Sequence, residues 1–158
     1  MRPSKRGGEI AAVIGIILVT LFFYAHQTSS TGFFTSAFGS TEAFFLYGSI
    51  LTGMAGPIAR LATGRRNISR LPELAGSAFW ILGSVWMFNA FPFNFTHFAD
   101  VIPEFLQFLV KWITNDIARV LFVFAIVGGV VFIAINTRLY MQVCKLLHRY
   151  ETSYRGLE

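Results

Sequence analysis

Cysteine is all but missing from these 158 residues. Cys144 stands alone, which excludes an internal disulfide and any cysteine-rich metal site. Charge is scarce as well. Asp, Glu, Lys and Arg make up 13% of the chain, against about 25% in a typical soluble domain. The 8 acidic residues are outnumbered by 13 basic ones, for a net charge of +5. The common catalytic signatures are lacking too. There is no H-E-x-x-H, no phosphate-binding P-loop, no glycine-rich dinucleotide fingerprint and no G-x-S-x-G elbow. A serine, cysteine or histidine nucleophile needs a base within reach, and no spacing here points to such a pair. The sequence therefore names no catalytic residue and no cofactor.

What fills the chain is apolar. Hydrophobic residues account for 54%, Phe alone occurs 18 times, and the mean hydropathy is +0.59. A soluble domain of this length has too little interior to hide so much apolar surface, whereas a bilayer removes that difficulty. The reading is a single integral membrane domain over residues 1–158.

Four apolar segments, at about residues 10–25, 43–59, 74–91 and 117–135, predict an all-α membrane protein with four transmembrane helices. Each approaches the roughly 20 residues that cross a 30 Å hydrocarbon core, and helices satisfy their own backbone polar groups in lipid. The first, "IAAVIGIILVTLFFY", follows Arg2, Lys5 and Arg6. The "YAHQTSS" behind it is a poor match to a signal-peptide cleavage site, so it reads as an uncleaved anchor. In the second, Glu42 suits a helix N-terminus, and Gly48, Thr52 and Gly56 recur every four residues. Such a small-residue stripe lets another helix approach closely, and Pro57 kinks or ends the segment. Pro72 and Glu73 suit the first turn of the third. Gly128 and Gly129 in the fourth again read as close helix packing. Amphipathic helices are expected on both sides of that fourth span. One covers about 103–114, where Glu104, Gln107, Lys111 and Asn115 form a narrow polar stripe; the other covers about 138–150.

The stretch "GPIARLATGRRNISRLPE" carries Arg60, Arg65, Arg66 and Arg70. With four spans, eleven of the 13 basic residues fall on one side, and only Lys111 and Arg119 on the other. That split is a positive-inside signal. It places both termini and the arginine loop in the cytoplasm, against anionic lipid head groups. No aromatic stacking platform or recognised module accompanies the arginines, so nucleic acid is not an expected partner.

Two polar groups are candidate sites. Asp116 and Arg119, three residues apart near the start of the fourth span, can form an ion pair on one helix. A charge at that depth reads as part of an ion or substrate path, or as a side chain snorkelling to the interface. His97, Asp100 and Glu104, in "HFADVIPE", are residue types that ligate zinc. Their spacing matches no recognised motif and Pro103 breaks the face, so they read as solvated interface residues and no metal is expected.

Two short resemblances accompany these readings. "KRGGEIAAVIGIILV" resembles the start of a type IV prepilin over about fifteen residues, but the three further apolar segments depart from that single-helix plan. "GMAGPIAR" with "GSAFWILG" resembles the small fluoride channels, but the second motif lacks the expected polar residue and the order of spans differs. Neither assigns a family. The leading functional reading is a non-catalytic membrane subunit or interaction protein, its partners being other membrane subunits or further copies of itself. A small homo-oligomeric channel or transporter using polar residues near the ends of the second and fourth spans, Glu42 with Asp116 and Arg119, is the second. A membrane enzyme using the His97 group is the third.

Overall fold

A computed structural model of the protein describes the backbone of residues 3–64 and 66–155, and the side chains of residues 6–64 and 69–146. Among the described residues the chain is helical, with no strand. Three helices are long and apolar enough to cross a membrane, over Arg6–Thr28, Ser69–Ala90 and Asn115–Leu146.

Helix α1 covers Pro3–Thr28. It stops where Ser30 (φ 47°) and Gly32 (φ 89°) take left-handed backbone conformations, which break a right-handed helix. The expected second span is not one helix. It is divided into α2, Ser40–Thr52, and α3, Ala55–Thr63. At the break the bonds tighten to three-residue spacing, from Gly53 N–H to the Ile50 carbonyl (3.2 Å) and from Met54 N–H to the Leu51 carbonyl (3.0 Å). Pro57 has no N–H to offer the Gly53 carbonyl, so the regular ladder cannot continue through this point. Glu42 anchors the start of α2. Its carboxylate accepts from Gly39 N–H (3.0 Å) and from the Trp86 indole (3.1 Å). These donors, with its own backbone N–H foremost, hold the carboxyl below its ordinary range.

Helix α4 covers Arg66–Ala90 and starts earlier than expected, with Pro72 inside its second turn. Helix α5 covers Asn115–Arg155. The fourth span and the amphipathic segment expected at 138–150 are thus one uninterrupted helix. The amphipathic helix expected at 103–114 does not form. Residues Glu104–Leu109 make a short 3-10 turn instead, because the Gln107 amide turns back to the Ile102 carbonyl (3.1 Å). Thr114 then accepts from Ile117 N–H (3.3 Å) and starts α5 afresh. Phe105, Phe108 and Trp112 remain exposed on this turn.

The helices form an arc in which α1 packs on α2 and α3, these pack on α4, and α4 packs on α5. Helix α4 lies antiparallel to the α2–α3 pair. Glu42 meets Trp86 at one end, and Arg60 meets Glu73 towards the other. Glycines set this spacing. A Cβ on Gly76 would come 2.9 Å from the Thr52 carbonyl oxygen, and one on Gly83 would run into Ser49 Oγ and lie 3.1 Å from the Phe45 carbonyl oxygen. At the Glu42 end, the connections 29–39 and 91–102 are laced together. Thr35 N–H reaches the Pro92 carbonyl (3.0 Å) and Asn94 N–H the Phe33 carbonyl (2.7 Å). Phe33, fully buried, packs with Phe23, Phe93, Phe95 and Phe98 into an aromatic plug.

Because backbone carbonyls cannot swing aside, Gly76→Ala is expected to cost about 1–3 kcal/mol of stability through overpacking. Gly128→Ala, where an added Cβ meets nothing within 4 Å, should be close to neutral. Thermal unfolding of the two variants in mild detergent, compared side by side, checks this; equal stability would sink the packing assignment.

Candidate functional site

Glu9 is the one acid in the apolar N-terminal run. A lone carboxylate at membrane depth needs a cation, and α3 supplies it. Arg60 Nε lies 2.7 Å from Glu9 Oε1, and Arg60 Nη1 pairs with Glu73 at the start of the apolar part of α4. The three side chains are only 15–19% exposed, so these are interior ion pairs and not surface contacts weakened by solvent. The node joins α1, α3 and α4. Gly56 gives Glu73 its room, since a Cβ there would come 2.5 Å from Glu73 Cγ.

The arginine loop therefore does two different things. Arg60 is committed to two carboxylates inside the bundle. Arg70, one turn before Glu73, has its Nη1 atom buried without a hydrogen-bond partner among the described residues. Arg65 lies outside the described residues, as does the side chain of Arg66.

Arg60, Arg70 and Glu73 line a cavity of about 680 Å³, together with Ser77 on α4 and Gly129 and Asn136 on α5. Thr52, Gly56 and Gly128 also face it. Gly48 lies outside it, against the Phe79 ring. Toward the aromatic plug lies a second cavity of about 440 Å³ with an almost wholly apolar wall that includes Phe23, Leu46, Met87 and Phe122. Ala12, Ile16, Ser49, Gly53 and Trp80 line both cavities. The two adjoin at these residues; taken together they are the cleft, charged at one end and apolar at the other.

The polar groups expected near the fourth span lie elsewhere. Arg119 does not pair with Asp116 among the described residues. Its guanidinium sits 4.0 Å from the centre of the Phe91 ring, a cation–π contact that satisfies the charge without a carboxylate. His97 and Asp100 do meet, with Nδ1 and Oδ2 2.8 Å apart and both side chains more than 40% exposed. Glu104 is not part of that contact, and among the described residues no three His, Cys, Asp or Glu side chains gather into a metal-holding group. His26 is buried. Its Nε2 donates to the Phe98 carbonyl (3.1 Å), so its Nδ1 accepts from the Thr31 hydroxyl (2.7 Å). That ties α1 to the connections 29–39 and 91–102.

No protein-family model, curated protein or solved structure matches the chain. Removing Arg60 strands two carboxylates. Arg60→Met is expected to destabilise by about 3–5 kcal/mol, as when one partner of a buried pair is lost. Combining it with Glu9→Gln and Glu73→Gln should recover most of that loss. Unfolding in mixed micelles followed by circular dichroism gives the comparison, and a triple variant as unstable as the single one would contradict the node.

Proposed function

We propose that the chain is a non-catalytic subunit of a larger membrane assembly. It crosses the bilayer four times and keeps both termini in the cytoplasm. The observation that carries the subunit reading is the length of α5. Arg119 sits against Phe91, and Gly129 against Trp80 and Ile81, which fixes the antiparallel register of α5 on α4. The same register sets Arg66, the start of α4, opposite Cys144. Helix α5 runs on to Arg155, about 17 Å further at 1.5 Å per residue. A helix end held clear of its own bundle is a handle for another polypeptide.

Support for four crossings comes from α2 and α3. Each is too short to cross alone, yet end to end they follow α4 from Trp86 to Glu73. Their break lies beside the cleft, with Gly53 on the wall of both cavities, and irregular backbone in a bilayer is tolerated where it lines a cavity. The distribution of basic residues supports the orientation. A channel through Asp116 and Arg119 has weaker support, because Arg119 is turned onto Phe91. An enzyme built on His97 has weaker support still, because its contact is a single exposed pair.

Two measurements test the reading. Single cysteines probed with an impermeant maleimide in sealed, oriented vesicles report topology. The native Cys144 and an Ala62→Cys variant should label from the cytoplasmic face, and Ser36→Cys from the opposite face. The two introduced cysteines would be studied in a Cys144→Ser background. Labelling of residues 36 and 62 from the same face would mean that α2–α3 does not cross. Extraction from the native membrane in mild detergent should then yield other polypeptides in fixed ratio. A chain ending at Leu146 should lose them while keeping its fold; a particle of identical chains only would overturn the subunit reading.

A further inference from the structure

We infer that the cleft holds one anionic phospholipid, its phosphate on Arg70 and an acyl chain in the apolar cavity. The inference rests on the four-crossing topology proposed above, which puts the charged end of the cleft at the cytoplasmic leaflet, but not on the presence of any partner subunit.

Three features of the cleft select this ligand together. The first is the spare cation. Arg60 is occupied by Glu9 and Glu73, whereas Arg70 Nη1, like the Glu73 Oε1 atom one turn away, is buried without a hydrogen-bond partner among the described residues. A guanidinium offers a planar fork of donors that matches phosphate oxygens. The second is adjacency. The polar cavity of about 680 Å³ and the apolar one of about 440 Å³ adjoin at Ile16, Ser49, Gly53 and Trp80, which line both. Both fall in the roughly 300–1,000 Å³ range of ligand sites. The third is place. The site lies near the membrane ends of α1, α3 and α4, at head-group depth, while the apolar cavity runs toward the bilayer interior. A soluble anion would satisfy Arg70 and leave the apolar cavity without a partner. An apolar helix from another protein would fill the cavity and leave Arg70 unbonded. An anionic lipid does both. Ser77 and Asn136, also on the polar wall, supply neutral hydrogen-bonding groups for the glycerol and ester oxygens.

Trp80 lines both cavities and so reports on the occupant. A protein retaining only this tryptophan (Trp86→Phe, Trp112→Phe) would be reconstituted into phosphatidylcholine vesicles containing a small fraction of lipid with brominated chains. Brominated phosphatidylglycerol should quench Trp80 with an apparent affinity about fivefold above that of brominated phosphatidylcholine, the ratio expected for one basic residue at an anionic lipid surface. Arg70→Gln should abolish the preference and Arg70→Lys should keep most of it. A protein retaining only Trp112, which is exposed at the other end of the bundle, should show no preference. Equal quenching of Trp80 by both lipids overturns the inference, and it does so in the unsubstituted site, whether or not Arg70→Gln folds. A preference seen equally at Trp112 overturns it in favour of general attraction of lipid to a basic protein. Loss of the preference on adding excess inorganic phosphate, at matched ionic strength, makes the site one for a free anion. The cysteine-labelling pattern separates the two levels: absent selectivity with residues 36 and 62 on opposite faces sinks the lipid alone, while same-face labelling sinks the topology.

Discussion

A charged group in a low-dielectric interior must be paired, and the rest of this fold is arranged around that constraint. Arg60 sits on a helix of nine residues that has little capacity to hold itself in place, since short helices are marginal without tertiary contacts. What positions it is the pairing of Arg60 with Glu9 on one side and Glu73 on the other. Either carboxylate left alone would be costly to bury. The node therefore sets where α1 meets α3 and where α3 meets α4. It also fixes where the divided α2–α3 segment ends. At the opposite end the work is done by a different force. Phe33, Phe93, Phe95 and Phe98 interlock, and His26 spends both ring nitrogens tying the connections 29–39 and 91–102 to α1.

Between these two ends the helices are kept close by what is missing from them. Gly76 and Gly83 allow α4 to touch the backbone of α2. Close approach substitutes for the hydrophobic drive that lipid removes, since a side chain gains little by leaving one apolar medium for another. The same economy of side chains has a second effect. Gly128, where an added Cβ would meet nothing within 4 Å, leaves space on the wall of the polar cavity instead of filling it.

Composition made the membrane character and the helical class legible, because both follow from sums over many residues. The apolar runs located the three long helices, but α1 and α4 begin earlier than their runs and α5 continues well past its own. The division of the second run was only half visible. Pro57 announced a disturbance, but the break falls at Gly53 and Met54, the turn before it, where the missing N–H is felt. The stripe at 103–114 failed for a related reason. Periodicity shows which face would be polar if a helix formed, yet it carries no information on whether a side chain such as Gln107 prefers a nearby carbonyl. Arg119 likewise had a carboxylate three residues away and found a ring instead, because Phe91 arrives from a segment 28 positions earlier in sequence. Pairings of that kind are set by tertiary contact and leave no local trace.

The arginine loop shows why a charge count and a site are different kinds of statement. Positive-inside asymmetry treats Arg60 and Arg70 as equivalent, for it depends only on their side of the membrane. Structure separates them by valence. Two acids meet Arg60, and Glu9 could have flagged this in the sequence, being a single carboxylate set in an apolar run. Arg70 is left with a buried donor and no acceptor among the described residues. Such an atom is under tension with its surroundings, because leaving a buried donor unmade costs about 1–3 kcal/mol, more where charge is involved. Proteins keep such groups where something else supplies the bond. In a bilayer the acceptor available at head-group depth is phosphate, and the molecule that carries it brings an apolar chain along. The cleft beside Arg70 has a polar end and an apolar end in that same order, so the unmet bond and the shape of the space around it point to one class of ligand.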